Sequence, residues 1–218
     1  MGNITLNIDN NILNIFTSIS IKEILQELNL NIFYEAKQTH SNIVHIVDDN
    51  YINGSIGDAL ITNEINKPLI IKVADCVPII LYDKLNRVEA IIHSGWKGTL
   101  ENITENTIKV MEEKFNSKYK NIQAYIYPSI KQCHFEVEED VYSLFKNKID
   151  NINKYTIRKD IKYYIDLQSI IKDKLINLGI TNITDSNICT YCNHDIYHSY
   201  RYNHTDKRNI LLVMIKEQ

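Results

Sequence analysis

Two apolar runs, Leu69–Val73 and Val88–Ile92, frame the most constraining part of this 218-residue chain. Both are rich in Val and Ile and read as buried strands. Each ends in residues of high chemical value: Ala74-Asp75-Cys76 after the first, His93-Ser94-Gly95-Trp96-Lys97-Gly98 after the second. A thiol and an imidazole at the ends of two successive strands can meet in space, and strand ends are where open α/β sheets bind ligands. Gly95 and Gly98 permit a tight turn, and Thr99 reads as a helix N-cap. Leu100, Ile103, Thr107, Ile108, Met111 and Phe115 then recur at helical spacing. Strand, turn and helix start together could turn backbone N–H groups toward an anion such as phosphate. No Walker-type or dinucleotide glycine fingerprint accompanies them.

Along the rest of the chain, Ile4, Leu6 and Ile8 alternate as in a first strand, and Ile12–Phe16 reads as a second. Ser20 is placed to cap a helix carrying Ile21, Ile24, Leu25 and Leu28. Ile32–Ala36, Ala59–Thr62, Ile122–Tyr127, Tyr155–Ile157, Tyr163–Ile165 and Ile210–Ile215 read as further strands. Glu138–Ile149 reads as a helix with Val141, Leu144 and Phe145 inward, and Asp166 caps another that Gly179 stops. Helices and strands mix without a regular βαβ rhythm. The expectation is therefore an α/β (α+β) layered domain with mixed β-sheets flanked by helices, spanning 1–218 as one unit.

A net charge of −3 gives no electrostatic case for nucleic acid or an anionic membrane. No apolar run approaches a membrane span, and the start MGNITLNIDNN lacks the regions of a signal peptide. Four cysteines without an export signal read as reduced thiols or ligands in a cytoplasmic protein. The sequence leaves oligomeric state open.

The segments VADCVPIIL and HSGWKGT resemble the paired signatures of the YfiH-like laccase-domain family. The likeness continues through Gln38-Thr39-His40-Ser41, Asp58-Ala59-Leu60-Ile61-Thr62, Pro128-Ser129-Ile130, Cys133-His134-Phe135-Glu136-Val137 and His198-Ser199-Tyr200-Arg201. The region before Lys37 departs from it: residues from 1 to about 36 look abbreviated, and Thr17-Ser18-Ile19-Ser20 lacks the glycine-containing loop of relatives; Cys192 and His194 read as local variation. The resemblance implies a YfiH-like fold and a zinc-dependent purine nucleoside phosphorylase with adenosine deaminase activity. Its substrates would be phosphate and adenosine, inosine or methylthioadenosine. The rival readings are a copper-dependent polyphenol oxidase and a cysteine or zinc hydrolase of another substrate, such as a cell-wall precursor.

Spacing alone does not group His40, Cys76 and His93; the resemblance does, as metal ligands. Imidazole and thiolate suit zinc, and three protein donors leave a position for water or substrate. Cys76 and His93 also permit a nucleophile–base pair, which ligation of the thiolate would exclude. The resemblance implies Gln38, Ser41 and Arg201 as substrate-binding residues, Arg201 because a guanidinium holds phosphate bidentately. Asp75, Cys133 and Glu136 are the catalytic candidates: Asp75 could orient a ligand, Cys133 could be a spare thiol in the pocket or a small core residue, and Glu136 an acid–base group or the partner of a nearby cation. Trp96 and Tyr200 could wall a purine. Cys189-x-x-Cys192, followed by His194 and His198, has the bare pattern of a structural zinc site. The favoured reading of that segment is a loop with incidental thiols.

Overall fold

The computed structural model describes residues 3–217. In chain order, strands β1 (Asn3–Ile4) and β2 (Ile12–Thr17), helix α1 (Ile21–Glu27) and strands β3 (Tyr34–Glu35), β4 (Val44–Ile46) and β5 (Ala59–Thr62) come first. The central block is β6 (Leu69–Val73), β7 (Val77–Asp83), β8 (Val88–Ser94), α2 (Trp96–Leu100), α3 (Ile103–Phe115) and β9 (Ile122–Ile126). Then follow β10 (Glu136–Val137), α4 (Glu139–Lys148), β11 (Thr156–Lys159), β12 (Lys162–Ile165), α5 (Leu167–Asn177), β13 (Ile183–Asp185), α6 (Tyr200–Asn203) and β14 (Asn209–Ile215).

Two large mixed sheets stack face to face. One has the order β1-β2-β14-β6-β3, the other β13-β9-β7-β8-β5-β4, and a small sheet β10-β12-β11 stands beside them. Alternation along β7 shows how the layers form. Val77, Ile79 and Leu81 pack into a core shared with Ile103, Ile108 and Met111 of α3 and Ile170, Ile171 and Leu175 of α5. Ile80 and Tyr82 point the other way, onto Leu69, Ile71 and Val73 of β6 and Leu211 and Val213 of β14. The outer face of that second sheet, Ile70, Ile210, Leu212 and Met214, is closed by Ile24 of α1. Strands buried on both faces carry near-continuous apolar runs, which is the pattern of β7 and β8.

Four expectations are corrected. Leu69–Val73 and the strand starting at Val88 are not successive, because β7 lies between them. Pro78 argues against a central strand, but it lies where pairing with β9 has not yet begun, since that ladder starts at Ile79. Thr99 lies inside α2 rather than at a helix start, and α3 begins after Asn102, which adopts a left-handed conformation. Leu144 is exposed, because α4 sits at the surface and buries only Phe145. The strand expected over Ile4–Ile8 is confined to Asn3–Ile4. Ser20 does cap α1, with a reciprocal bond from Glu23, and Gly179 follows α5 at a φ of 91°.

Candidate metal centre

The chain passes from one sheet to the other between Val73 and Val77, and Cys76 stands in that crossing. His93 lies near the end of β8, beside the start of β7, where Pro78 faces it across the ladder. His40 comes from the loop after β3. The donor atoms of His40, Cys76 and His93 all lie within 4.8 Å of one another. Cys76 Sγ is 3.8 Å from His40 Nε2, and the two imidazole rings meet edge to face with centroids 4.8 Å apart. Zinc bonds of about 2.3 Å to sulfur and about 2.0–2.1 Å to nitrogen, at tetrahedral angles, place such donors about 3.6 Å apart. The Cys76–His40 separation is close to that requirement, and the other donor pairs lie within 4.8 Å.

Asp58, just before β5, builds the site from beneath. Its carboxylate accepts from His93 Nδ1–H at 2.7 Å, from the backbone N–H groups of Thr39, His40 and Ser41, and from Ser41 Oγ at 2.6 Å. One buried side chain thus fixes the His93 ring, leaving Nε2 as its free nitrogen, and holds the loop that presents His40. A carboxylate behind a ligating imidazole is the usual outer support of a metal site. His40 itself has a φ of 61°, and the neighbouring Asp75 a φ of 88°. Strained backbone of this kind persists where surrounding bonds over-determine it.

Gly95 completes the cradle by being small. A Cβ there would lie 2.7 Å from His40 Cδ2 and 3.0 Å from Cys76 Sγ. The glycine is required for close approach to two of the donors, since its own φ is an ordinary −72°.

The charges of the site reinforce one another. Burial favours the neutral Cys76 thiol, but His93 and His40 outweigh it and pull the group down to about 6. Burial likewise disfavours the His93 imidazolium, yet the Cys76 thiolate and the Asp58 carboxylate raise it to about 9. Burial pushes Asp58 up, but hydrogen bonds from His93 and Ser41 hold it well below the usual carboxylate range.

All three donors line a cavity of about 790 Å³, a volume in the range of small-molecule sites. Trp96, Phe135, Ile130 and Leu167 supply apolar walls, and Lys72, Arg201 and Arg208 supply cationic groups. Asp75 lines it too. Its Oδ1 accepts from Thr190 Oγ1 at 2.7 Å and its Oδ2 from the Arg201 backbone N–H at 2.7 Å. Arg201 is held again through its guanidinium, whose Nη1 donates to the carbonyls of His134 and Glu136. Tyr200 also borders the cavity.

The remaining expected residues each have partners of their own. Gln38 lines the cavity, but its amide exchanges two 2.8 Å hydrogen bonds with the backbone of Lys72. Ser41 lies behind the metal site on Asp58. Glu136 accepts from Tyr164 Oη at 2.9 Å and pairs with Lys162. Those bonds lower its pKa, and it does not border the large cavity. Cys133, expected as a pocket thiol, is gathered instead with His134, Cys189 and Cys192. Asp58 and Thr190 were not expected as site residues. Their partners lie 17 or more residues away in the chain, so no local spacing marks them.

A family model described as multi-copper polyphenol oxidoreductase laccase matches residues 16–216. A Clostridium acetobutylicum protein named purine nucleoside phosphorylase is 39% identical over 172 residues, covering 78% of this chain and 70% of its own length. A Bacteroides thetaiotaomicron protein of the same name is 35% identical over 177 residues, 75% of this chain. The match spans 66% of that relative's own length, just under two thirds. A protein from an unknown prokaryote, named adenosine deaminase, is 32% identical over 178 residues, 76% of this chain and 68% of its own. The crystal structure of Bacillus licheniformis YfiH matches with a TM-score of 0.84 at 26% identity, over 89% of this chain and 79% of that one. A Neisseria meningitidis structure shares the fold over 99% of both chains, with a TM-score of 0.89 at 19% identity.

Proposed function

The chain belongs to the laccase-domain family, and on that footing we propose that it is a zinc-dependent purine nucleoside phosphorylase that also deaminates adenosine. The observation that carries the proposal is the open trio of His40, Cys76 and His93 at the wall of a cavity that also offers aromatic surface and Arg201. These three residues would hold the metal. Bound there, zinc supplies a Lewis-acid charge that can polarise an oxygen or make a water more acidic.

In phosphorolysis a phosphate oxygen forms the new bond to the anomeric carbon while the glycosidic bond breaks and the purine leaves with its electrons. Arg201 is the residue for the phosphate. Its guanidinium is anchored on two carbonyls, so the planar fork is pre-oriented toward an anion. Asp75 acts on Arg201 through the backbone and is a positioning residue. Trp96 and Phe135 give the purine apolar surface to lie against. Deamination at the adenine 6-position takes water instead of phosphate, so it draws on the same metal trio without needing Arg201 as an anion clamp. The free thiols of the chain suit the reducing cytoplasm.

Copper is the rival metal, because two imidazoles and one thiolate also suit it. The test is metal analysis of the purified protein, then a panel of adenosine, inosine and methylthioadenosine with and without phosphate. Phosphate-dependent release of hypoxanthine from inosine by a zinc-loaded preparation is expected. Oxygen uptake with a phenol by a copper-loaded preparation, and no nucleoside turnover, would replace this reading with the oxidase one.

A further inference from the structure

A second group of donors stands away from the large cavity. Cys133 and His134 lie in the segment between β9 and β10, and Cys189 and Cys192 in the segment between β13 and α6. Their four donor atoms all lie within 4.8 Å of one another. Cys133 Sγ is 3.7 Å from Cys189 Sγ and 3.9 Å from Cys192 Sγ. His134 Nδ1 is 3.1 Å from Cys133 Sγ and 3.4 Å from Cys192 Sγ.

We propose that Cys133, His134, Cys189 and Cys192 form a second metal centre, a closed structural zinc site. A tetrahedral zinc with bonds of about 2.3 Å to sulfur sets its sulfurs about 3.8 Å apart, and a nitrogen ligand stands about 3.6 Å from each. The two sulfur separations from Cys133 match this frame, and the imidazole stands slightly inside it relative to Cys133 and Cys192. Three thiolates with one imidazole is a donor set that selects zinc over harder cations. Four protein donors leave no coordination position for substrate, and Cys133, His134, Cys189 and Cys192 do not border the large cavity. The donors are also supported from outside. The Lys131 backbone N–H donates to Cys189 Sγ at 3.5 Å, and the His134 ring stacks on Tyr191 with centroids 3.9 Å apart.

The position of the centre explains what it would do. It joins two irregular segments that otherwise meet through few backbone bonds: Ser129 N–H to Ile188 O, and Thr190 N–H to Ser129 O. Those segments carry the groups that set Arg201. The carbonyl of His134 accepts from its guanidinium, and Thr190, next to Cys189, holds the Asp75 carboxylate that accepts from its backbone. A metal at the closed site therefore fastens the far wall of the cavity from behind.

The test is zinc stoichiometry of the full chain, purified under reducing conditions. Two zinc ions per chain are expected in the wild type. Cys192→Ser and His134→Ala should each keep one, as should His40→Ala, and His40→Ala combined with Cys192→Ser should keep none. Cobalt loaded into the wild-type chain needs no variant to fold, and its sulfur-to-metal charge-transfer band should have the strength of four thiolates, three more than the open trio contributes. One zinc per chain, lost in His40→Ala and retained in Cys192→Ser, would overturn the proposal. So would a Cys133–Cys189 or Cys133–Cys192 disulfide found by mass spectrometry in the freshly purified protein.

Discussion

The two groups of thiols and imidazoles use similar donors and differ in what surrounds them. His40, Cys76 and His93 sit where the chain crosses between the two large sheets, with the fully buried Asp58 carboxylate behind and the cavity in front. Cys133, His134, Cys189 and Cys192 sit between two surface segments, where Cys133 and Cys192 are exposed, with a stacked tyrosine beside the imidazole. The first trio is one donor short of a tetrahedron and the second is complete, so only the first can offer a coordination position to a reactant. The rigid scaffold also differs. The end of β8 and the hydrogen bonds of Asp58 hold the open centre, whereas the closed centre would supply rigidity to segments that have little of their own.

The largest effect separating the two should follow loss of a donor. Cys76→Ser removes a ligand of the open centre, and with it charge stabilisation worth several kcal/mol, so nucleoside turnover should fall by about 10³-fold or more. Cys192→Ser should lower thermal stability first and turnover less, as measured by thermal melts and initial rates on the same preparations. Equal loss of turnover in the two variants, with folding intact, would erase the distinction.

Arg201 spans both regions, since its backbone bonds Asp75 beside Cys76 and its guanidinium bonds His134. Arg201→Ala removes a charge-assisted contact worth about 2–3 kcal/mol, which is a drop of roughly thirty- to 150-fold in kcat/KM for phosphorolysis. Adenosine deamination should fall much less at the same zinc content. Equal losses in both reactions would assign Arg201 to the nucleoside or to the scaffold.

Asp58→Asn tests the support of the open centre alone. An amide cannot replace both carboxylate oxygens under His93 and the His40 loop, and zinc affinity there should fall about 10- to 100-fold. A chelator competition should show that loss in one zinc of the chain, the other being unaffected. Smallest is Thr190→Val, which deletes one bond to Asp75. It should cost about 1–2 kcal/mol and lower Tm by roughly 2–8 °C, with the zinc content of both centres unchanged.

Much of this was legible in the sequence where local patterns decide. Ser20 with Glu23, Asp166 and Gly179 mark helix ends by short-range chemistry, and β6, β8 and β14 by composition. The strand β7 is not among those read from the sequence, and Pro78 is tolerated in it because the ladder to β9 starts only at Ile79. His40, Cys76 and His93 were grouped by resemblance to a family, because 36 residues separate the first two and no spacing rule reaches that far. The Cys189-x-x-Cys192 pair was visible, but its partners are 56 residues earlier, so the segment passed for a plain loop. Asp58 opens one of the segments that carry the resemblance, but nothing in its neighbours marks it as the support of the trio. Its importance comes from five hydrogen bonds that converge on it only after the sheets pair.

The role proposed for the open trio is decided by returning zinc stepwise to the chelator-stripped wild-type chain while following hypoxanthine release from inosine in phosphate. Turnover should be absent from the stripped chain, rise with zinc until His40, Cys76 and His93 are filled, and vanish again when phosphate is omitted. Undiminished turnover in the stripped chain, or zinc-loaded protein that releases no hypoxanthine in phosphate, would contradict the account.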